Sequence, residues 1–210
     1  MNVTVDLEAV QREGFPVGGE PLVALDLVDT QALAVDPTQD LLEEPGRGEA
    51  WWALQATRLP ESSAMPDPAA VRRLRAAIRD LFDAHLEGRA PRPTSVEDVN
   101  AAAASVPSSP RLSYVVERNG GFHGATTQVE TRWHTEYGGN VALAFIAREA
   151  IDLFAAPERL SRLRRCANPA CSMLFLAETS RRQWCASNVC GNRVRVARHQ
   201  EKMRAAKRAD

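Results

Sequence analysis

All four cysteines of the chain fall between positions 166 and 190, in the pattern Cys166-x4-Cys171-x13-Cys185-x4-Cys190. Tetrahedral zinc needs four thiolates at about 2.3 Å, and two close pairs supply them with little chain to order. Asn168-Pro169-Ala170 offers the turn within the first pair and Ser187-Asn188-Val189 the turn within the second. Two disulfides would use the same residues, but a cytosolic chain long enough to bury a core has little need of them. Four protein ligands leave no open position for water, so the zinc expected here is structural rather than catalytic. Arg162, Arg164 and Arg165 surround Cys166 in sequence and should favour its thiolate. His199 lies too far beyond Cys190 to replace a ligand.

The residues after the last cysteine point to a second chemistry. From Asn192 to about Ala209 no helix breaker occurs, and Val196 and Met203 make a narrow apolar stripe for packing. Arg193, Arg204 and Arg208 share one flank of that helix, and Arg195, Arg198 and Lys202 share another. The formal net charge of -1 conceals a division: 13 Lys/Arg against 24 Asp/Glu up to Glu158, then 13 against 3 from Arg159 onward. Such asymmetry suits a basic module for a phosphate backbone attached to a differently employed acidic domain. Two alternatives use the same charges, a solvated tail and a tail paired with the acidic domain. Trp184 suits the core of a small module better than a base-stacking platform.

Other reactive residue types give weaker patterns. His123 and His134 lie near Glu130 and Glu136, but their spacing fixes no shared face. Asp26 and Asp29 interrupt an apolar run, where a buried carboxylate needs a partner. They would line a small-molecule pocket, or Asp29 or Thr30 would cap a following helix. No phosphate loop, nucleotide fingerprint, nucleophile elbow or metalloprotease motif is present, so no enzyme is expected. No apolar run approaches the roughly 20 residues needed to cross a bilayer, and Met1 to Asp6 lack a secretory layout. A cytoplasmic protein with no membrane partner is expected.

The elements that must position these residues divide at about Pro157, giving an N-terminal domain over 1–157 and a finger with its basic helix over 158–210. Gly19 to Thr30 reads as a buried strand, or a strand running into a helix start. Trp51, Trp52, Leu54 and Leu59 suit a short helix. Asp67-Pro68 opens a helix over Ala69 to Leu86, with Val71, Leu74, Ile78, Leu81 and Phe82 on one face. Gly88 to Pro93 breaks it, and Ser95 is expected to cap a second helix reaching Val106, with Asp98 completing a loose capping box. Leu112 to Arg118 and Phe122 to Val129 read as a hairpin about Asn119-Gly120-Gly121. Asn140 to Ala156 is apolar around most of its circumference and should be central to the core. The fold class is α+β: a mostly helical domain with a small antiparallel sheet, then a treble-clef-like or ribbon-like four-cysteine zinc finger. Gly191 is expected to turn the chain through positive φ, and Asn192 to cap the basic helix.

Cys190-Gly191-Asn192-Arg193, preceded by Arg181-Arg182-Gln183-Trp184-Cys185, Phe175 and Cys166-x4-Cys171, closely resembles the CGNR zinc-finger family. Ala177-Glu178-Thr179-Ser180 is shorter than the family's usual turn but leaves the cysteines intact. Gly19 to Thr30, Trp51-Trp52 and the two apolar helices, in that order, resemble the ABATE domain that usually precedes this finger. The resemblance implies a stress-responsive, DNA-binding transcription regulator whose first domain senses an effector or forms a homodimer. Arg181, Arg182, Asn192, Arg193, Arg195, Arg198 and Lys202 are the residues expected to meet double-stranded DNA. The alternative is a protein or RNA docking module whose zinc is purely structural.

Overall fold

The computed structural model describes residues 22–34, 38–60, 63–119 and 122–209, leaving aside the side chains of 115–126 and 205–209. Residues 19–21, the turn residues 120–121 and the side chains of His123 and Arg208 therefore lie outside the description.

The apolar run around Leu25 forms a helix, α1 (Val23–Val28), where a buried strand or a strand running into a helix start was expected. Every one of its residues is buried. A run this short that is apolar on all sides carries no period to separate a buried strand from a buried helix. Two short strands, β1 (Gln31–Ala32) and β2 (Gln39–Asp40), pair antiparallel and lead into α2 (Arg47–Gln55). The long helix α3 (Pro68–Glu87) starts as expected, with Asp67 accepting from the Ala70 amide at 2.9 Å. It ends at Gly88, whose φ of 64° suits a residue without a Cβ.

Helix α4 (Pro93–Ala104) begins two residues before the expected cap. Pro93 takes the first turn, where a missing N–H costs nothing. Ser95 is buried inside that turn and bonds Asp80 of α3. Burial would raise the Asp80 carboxyl, but bonds from the Arg92 amide, Ser95 and Arg89 overcome this and hold it at about 2. The hairpin is longer than expected, with β3 (Ser108–Asn119) pairing antiparallel to β4 (Phe122–Trp133) from Ser108↔Trp133 to Asn119↔Phe122. Helix α5 (Val141–Phe154) follows, its Leu143 amide capped by Asn140. Arg148 of α5 holds the hairpin base: it donates to the carbonyls of Ala103 and Val106 and to the Ser108 hydroxyl, and stacks over Trp133 at 4.7 Å.

The main core gathers α1, the inner faces of α3, α4 and α5, and Trp51. The short helix α6 (Pro157–Leu160) and strands β5 (Leu163–Arg165) and β6 (Leu174–Leu176) bring Leu160, Leu163, Leu174 and Leu176 into the same core. The antiparallel β5–β6 pair thus carries the cysteine module on the flank of the helical domain. Helix α7 (Asn192–Ala209) closes the chain. No helix among the described residues is long and apolar enough to cross a membrane.

Candidate metal centre and nucleic-acid interface

Cys166 follows β5 directly, and its amide donates to the Met173 carbonyl at 2.9 Å. Asn168 builds the first knuckle: its carbonyl accepts from the Cys171 amide at 2.9 Å and its side chain accepts from the Ala170 amide at 3.1 Å. The second knuckle is a π-helical turn, Ser187–Gly191, in which the Cys190 and Gly191 amides both donate to the Ala186 carbonyl. These turns bring all four sulfurs within 4.8 Å of one another. A tetrahedron of Zn–S bonds near 2.3 Å has edges of about 3.8 Å. Cys171 and Cys185 stand 3.8 Å apart, and Cys185 and Cys190 3.6 Å. The donor set therefore fits zinc in number, type and spacing, and the cysteines are free of disulfides.

The clustered sulfurs also act on one another's protonation. Hydrogen bonds from Cys171 and then Cys185 hold the Cys166 thiol well below its ordinary value. Its contact with Cys166 pushes Cys171 up to about 12, and contacts with Cys166 and Cys171 push Cys185 up as well. A divalent ion bound by the four sulfurs would hold them as thiolates, because a coordinating thiol is deprotonated outright. Cys190 sits just before α7, so the positive end of that helix also faces the cluster. Arg162, Arg164 and Arg165 take other partners: Arg162 donates to the Ala177 carbonyl, Arg164 to the Ser161 and Leu163 carbonyls, and Arg165 to Asp83 and Glu87 of α3. Strand alternation and the acidic edge of α3 draw them away from the sulfurs.

Phe175, fully buried, is the floor of the small finger core, and Trp184 is half-buried against it. Arg182 lies over the Phe175 ring at 4.6 Å and donates to the Trp184 and Cys185 carbonyls, so this arginine braces the finger from within. Gly191 is not among the positive-φ glycines of the described residues. The π-turn feeds α7 without reversing the chain, and a Cβ on Gly191 would lie 3.5 Å from Trp184. Asn192 is already helical and does not cap amides; its side chain donates to the Asn188 carbonyl and accepts from Arg195, stapling the turn to the helix.

Arg181, Arg193, Arg195, Arg198 and Lys202 are all exposed, and every described residue from Ala197 to Arg204 is exposed. Val196 and Met203, expected to pack, stay 54% and 51% exposed because the helix leaves the finger after its first turn. Helical geometry sets Arg195, Arg198 and Lys202 within about 60° of arc, opposite Arg193 and Arg204.

Asp26 and Asp29 diverge. Asp26 is buried and receives Arg58 and Gln55. Asp29 accepts from the Leu174 amide through both oxygens, at 3.1 and 3.2 Å, with Arg79 3.9 Å away. Neither carboxylate caps a following helix, and Thr30 instead bonds back to the Leu27 carbonyl. Asp29 is thus a buried clamp between the helical domain and the finger, and its one signal in the sequence is a carboxylate inside an apolar run. His134 bridges Ser109 and Glu136 at the hairpin base.

Two family models match the chain. ABATE, described as "Putative stress-induced transcription regulator", matches residues 22–157, and the CGNR zinc finger matches residues 162–203. Curated proteins give no significant match.

Proposed function

Because the chain belongs to the ABATE family and carries a CGNR zinc finger, we propose that it is a transcription regulator that grips double-stranded DNA with α7. In this reading the helical domain senses a small-molecule effector or mediates self-association. The observation that carries it is the charge of α7. Among the described residues Arg193, Arg195, Arg198, Lys202 and Arg204 form no ion pair, whereas Arg72, Arg79 and Arg165 each meet a carboxylate. Unpaired cations along one exposed helix suit phosphates, whose counterions they displace. The zinc orients that helix, because Cys190 and the π-turn fix its first residue.

A salt titration of binding to random duplex DNA tests the reading. Replacing Arg195, Arg198 and Lys202 by alanine should flatten the slope of log affinity against log salt by roughly 3. Chelation of the zinc should abolish binding. If the zinc-loaded protein ignores duplex DNA at low salt, the finger passes to docking of RNA or protein.

A further inference from the structure

The hairpin β3–β4 has an apolar face whose outer part no described residue covers. By strand alternation Trp133, Thr131 and Val129 of β4 share a face with Pro110, Leu112 and Tyr114 of β3. At the base that face packs on α5, where Trp133 meets Phe145. Further out, Leu112, Tyr114 and Val129 are 71%, 75% and 74% exposed. A two-stranded ribbon is marginal in water without a third strand or a covering layer.

The two edges of this ribbon differ. The His134 amide donates to the Pro107 carbonyl opposite it at 2.8 Å, which sets the ladder: Ser109–Arg132, Arg111–Glu130 and Ser113–Gln128 are hydrogen-bonded pairs. The residues between them point their N–H and C=O groups outward. On β3 that outer row includes Pro110, which has no N–H to offer and guards the edge. On β4 the row of Thr127, Val129, Thr131 and Trp133 contains no proline. Along this open edge lies a cleft of about 770 Å³, with Leu59, Pro60, Val141 and Phe145 on its far side.

We infer that β4 pairs antiparallel with β4 of a second copy of this chain, about a two-fold axis through Thr131. Charge selects the register. An axis through Glu130 or Arg132 sets like charges face to face, whereas the axis through Thr131 sets Glu130 opposite Arg132 of the second copy, twice. A two-fold perpendicular to the sheet keeps the apolar faces of both hairpins on one side. Val129, Leu112 and Tyr114 of the second copy then come to the cleft side of the first. The same operation covers the exposed apolar face and satisfies the open edge, and the interface is self-complementary as a two-fold requires.

Sedimentation velocity of the zinc-loaded full chain, without nucleic acid, tests this independently of DNA binding. A dimer at micromolar concentration is expected. Glu130→Arg and Arg132→Glu should each weaken it about tenfold or more, since two attractive pairs become repulsive, and the double variant E130R/R132E should restore it. Thr131→Pro should give a monomer with an unchanged circular dichroism spectrum, because the Thr131 N–H takes no part in the hairpin's own ladder. Should that variant not fold, the charge-reversal set decides alone. A monomeric parent protein, a dimer indifferent to both reversals, or a double variant no stronger than the singles overturns the inference.

Discussion

Helices α3 and α7 are of similar length and both rich in arginine, yet they use it oppositely. On α3, Arg75 is buried against Asp40 and Thr30, Arg79 meets Asp83 at 2.9 Å, and Arg72 meets Glu43 at 3.5 Å. Its ends are closed by Asp67 and Gly88. On α7, Arg193, Arg198, Lys202 and Arg204 meet no carboxylate among the described residues, and Arg195 bonds only Asn192 there. Arginine count does not separate the two helices, although α3 carries three carboxylates and α7 one. What separates them is the apolar stripe: Val71, Leu74, Ile78 and Phe82 press α3 into the core, where each nearby guanidinium must find a partner. With Val196 and Met203 left in solvent, α7 keeps its charge available.

If that contrast holds, α7 depends on the metal and α3 does not. Removing zinc by chelation, or replacing Cys190 with Ser, should produce the largest effect. Structural zinc contributes about 10 kcal/mol or more to folding of isolated fingers. Hydrogen exchange should show loss of protection from Cys166 through the start of α7, while α3 and α5 stay protected. Equal loss across α3 would show that the core does not stand without the finger.

Next in size is the buried pair on α3. Arg75→Ala leaves Asp40 half-enclosed without its cation and Thr30 without its donor, and should lower stability by about 3 to 5 kcal/mol in urea unfolding. The Asp40 carboxyl is held low although burial raises it, because the Arg75 hydrogen bond and charge outweigh burial. The pair's contribution is therefore present at neutral pH and lost as pH falls below the ordinary carboxylate range.

Glu149 on α5 sharpens the same point from the other side. Burial pushes its carboxyl up to about 7, against bonds from the Ala24 and Val23 amides and the charge of Arg58, which is already engaged with Asp26. The folded protein then holds the Glu149 proton more tightly than the unfolded chain. Stability from this group is full below about 4.5 and falls as pH rises toward about 7, by an amount on the order of 3 kcal/mol. Glu149→Gln keeps an acceptor for the amides and should remove that slope. A melting curve whose pH dependence is unchanged in the variant would assign the slope elsewhere.

The cysteine spacing, the capped start of α3 and the hairpin were legible in the sequence because each has a local cause: ligand number, an Asp-Pro pair, a run of β-prone residues about a turn. The helix at Val23–Val28 was not, since burial on every side erases its period. Nor was the clamp from Asp29 to the Leu174 amide, which joins residues 145 positions apart. Arg182 shows the limit most sharply. Its type and place beside Cys185 suited a phosphate contact, yet the ring of Phe175 and two carbonyls hold it inside. Only the closed finger reveals which arginines remain outside.

The smallest expected effect tests those outside residues most directly. Arg198 and Lys202 meet no partner among the described residues and Arg195 bonds only the exposed Asn192, so replacing all three with alanine should change stability by no more than about 0.5 kcal/mol. Arg198 and Lys202 are four residues apart and carry like charge, which costs an isolated helix roughly 0.2 to 0.5 kcal/mol. Alanine is also the better helix former. The melting temperature of the triple variant should therefore hold or rise slightly. A fall of more than about 1 kcal/mol would show that α7, like α3, spends its arginines on the fold. Unchanged stability together with a flattened salt dependence would place their free energy outside the molecule, in whatever anionic surface the helix meets.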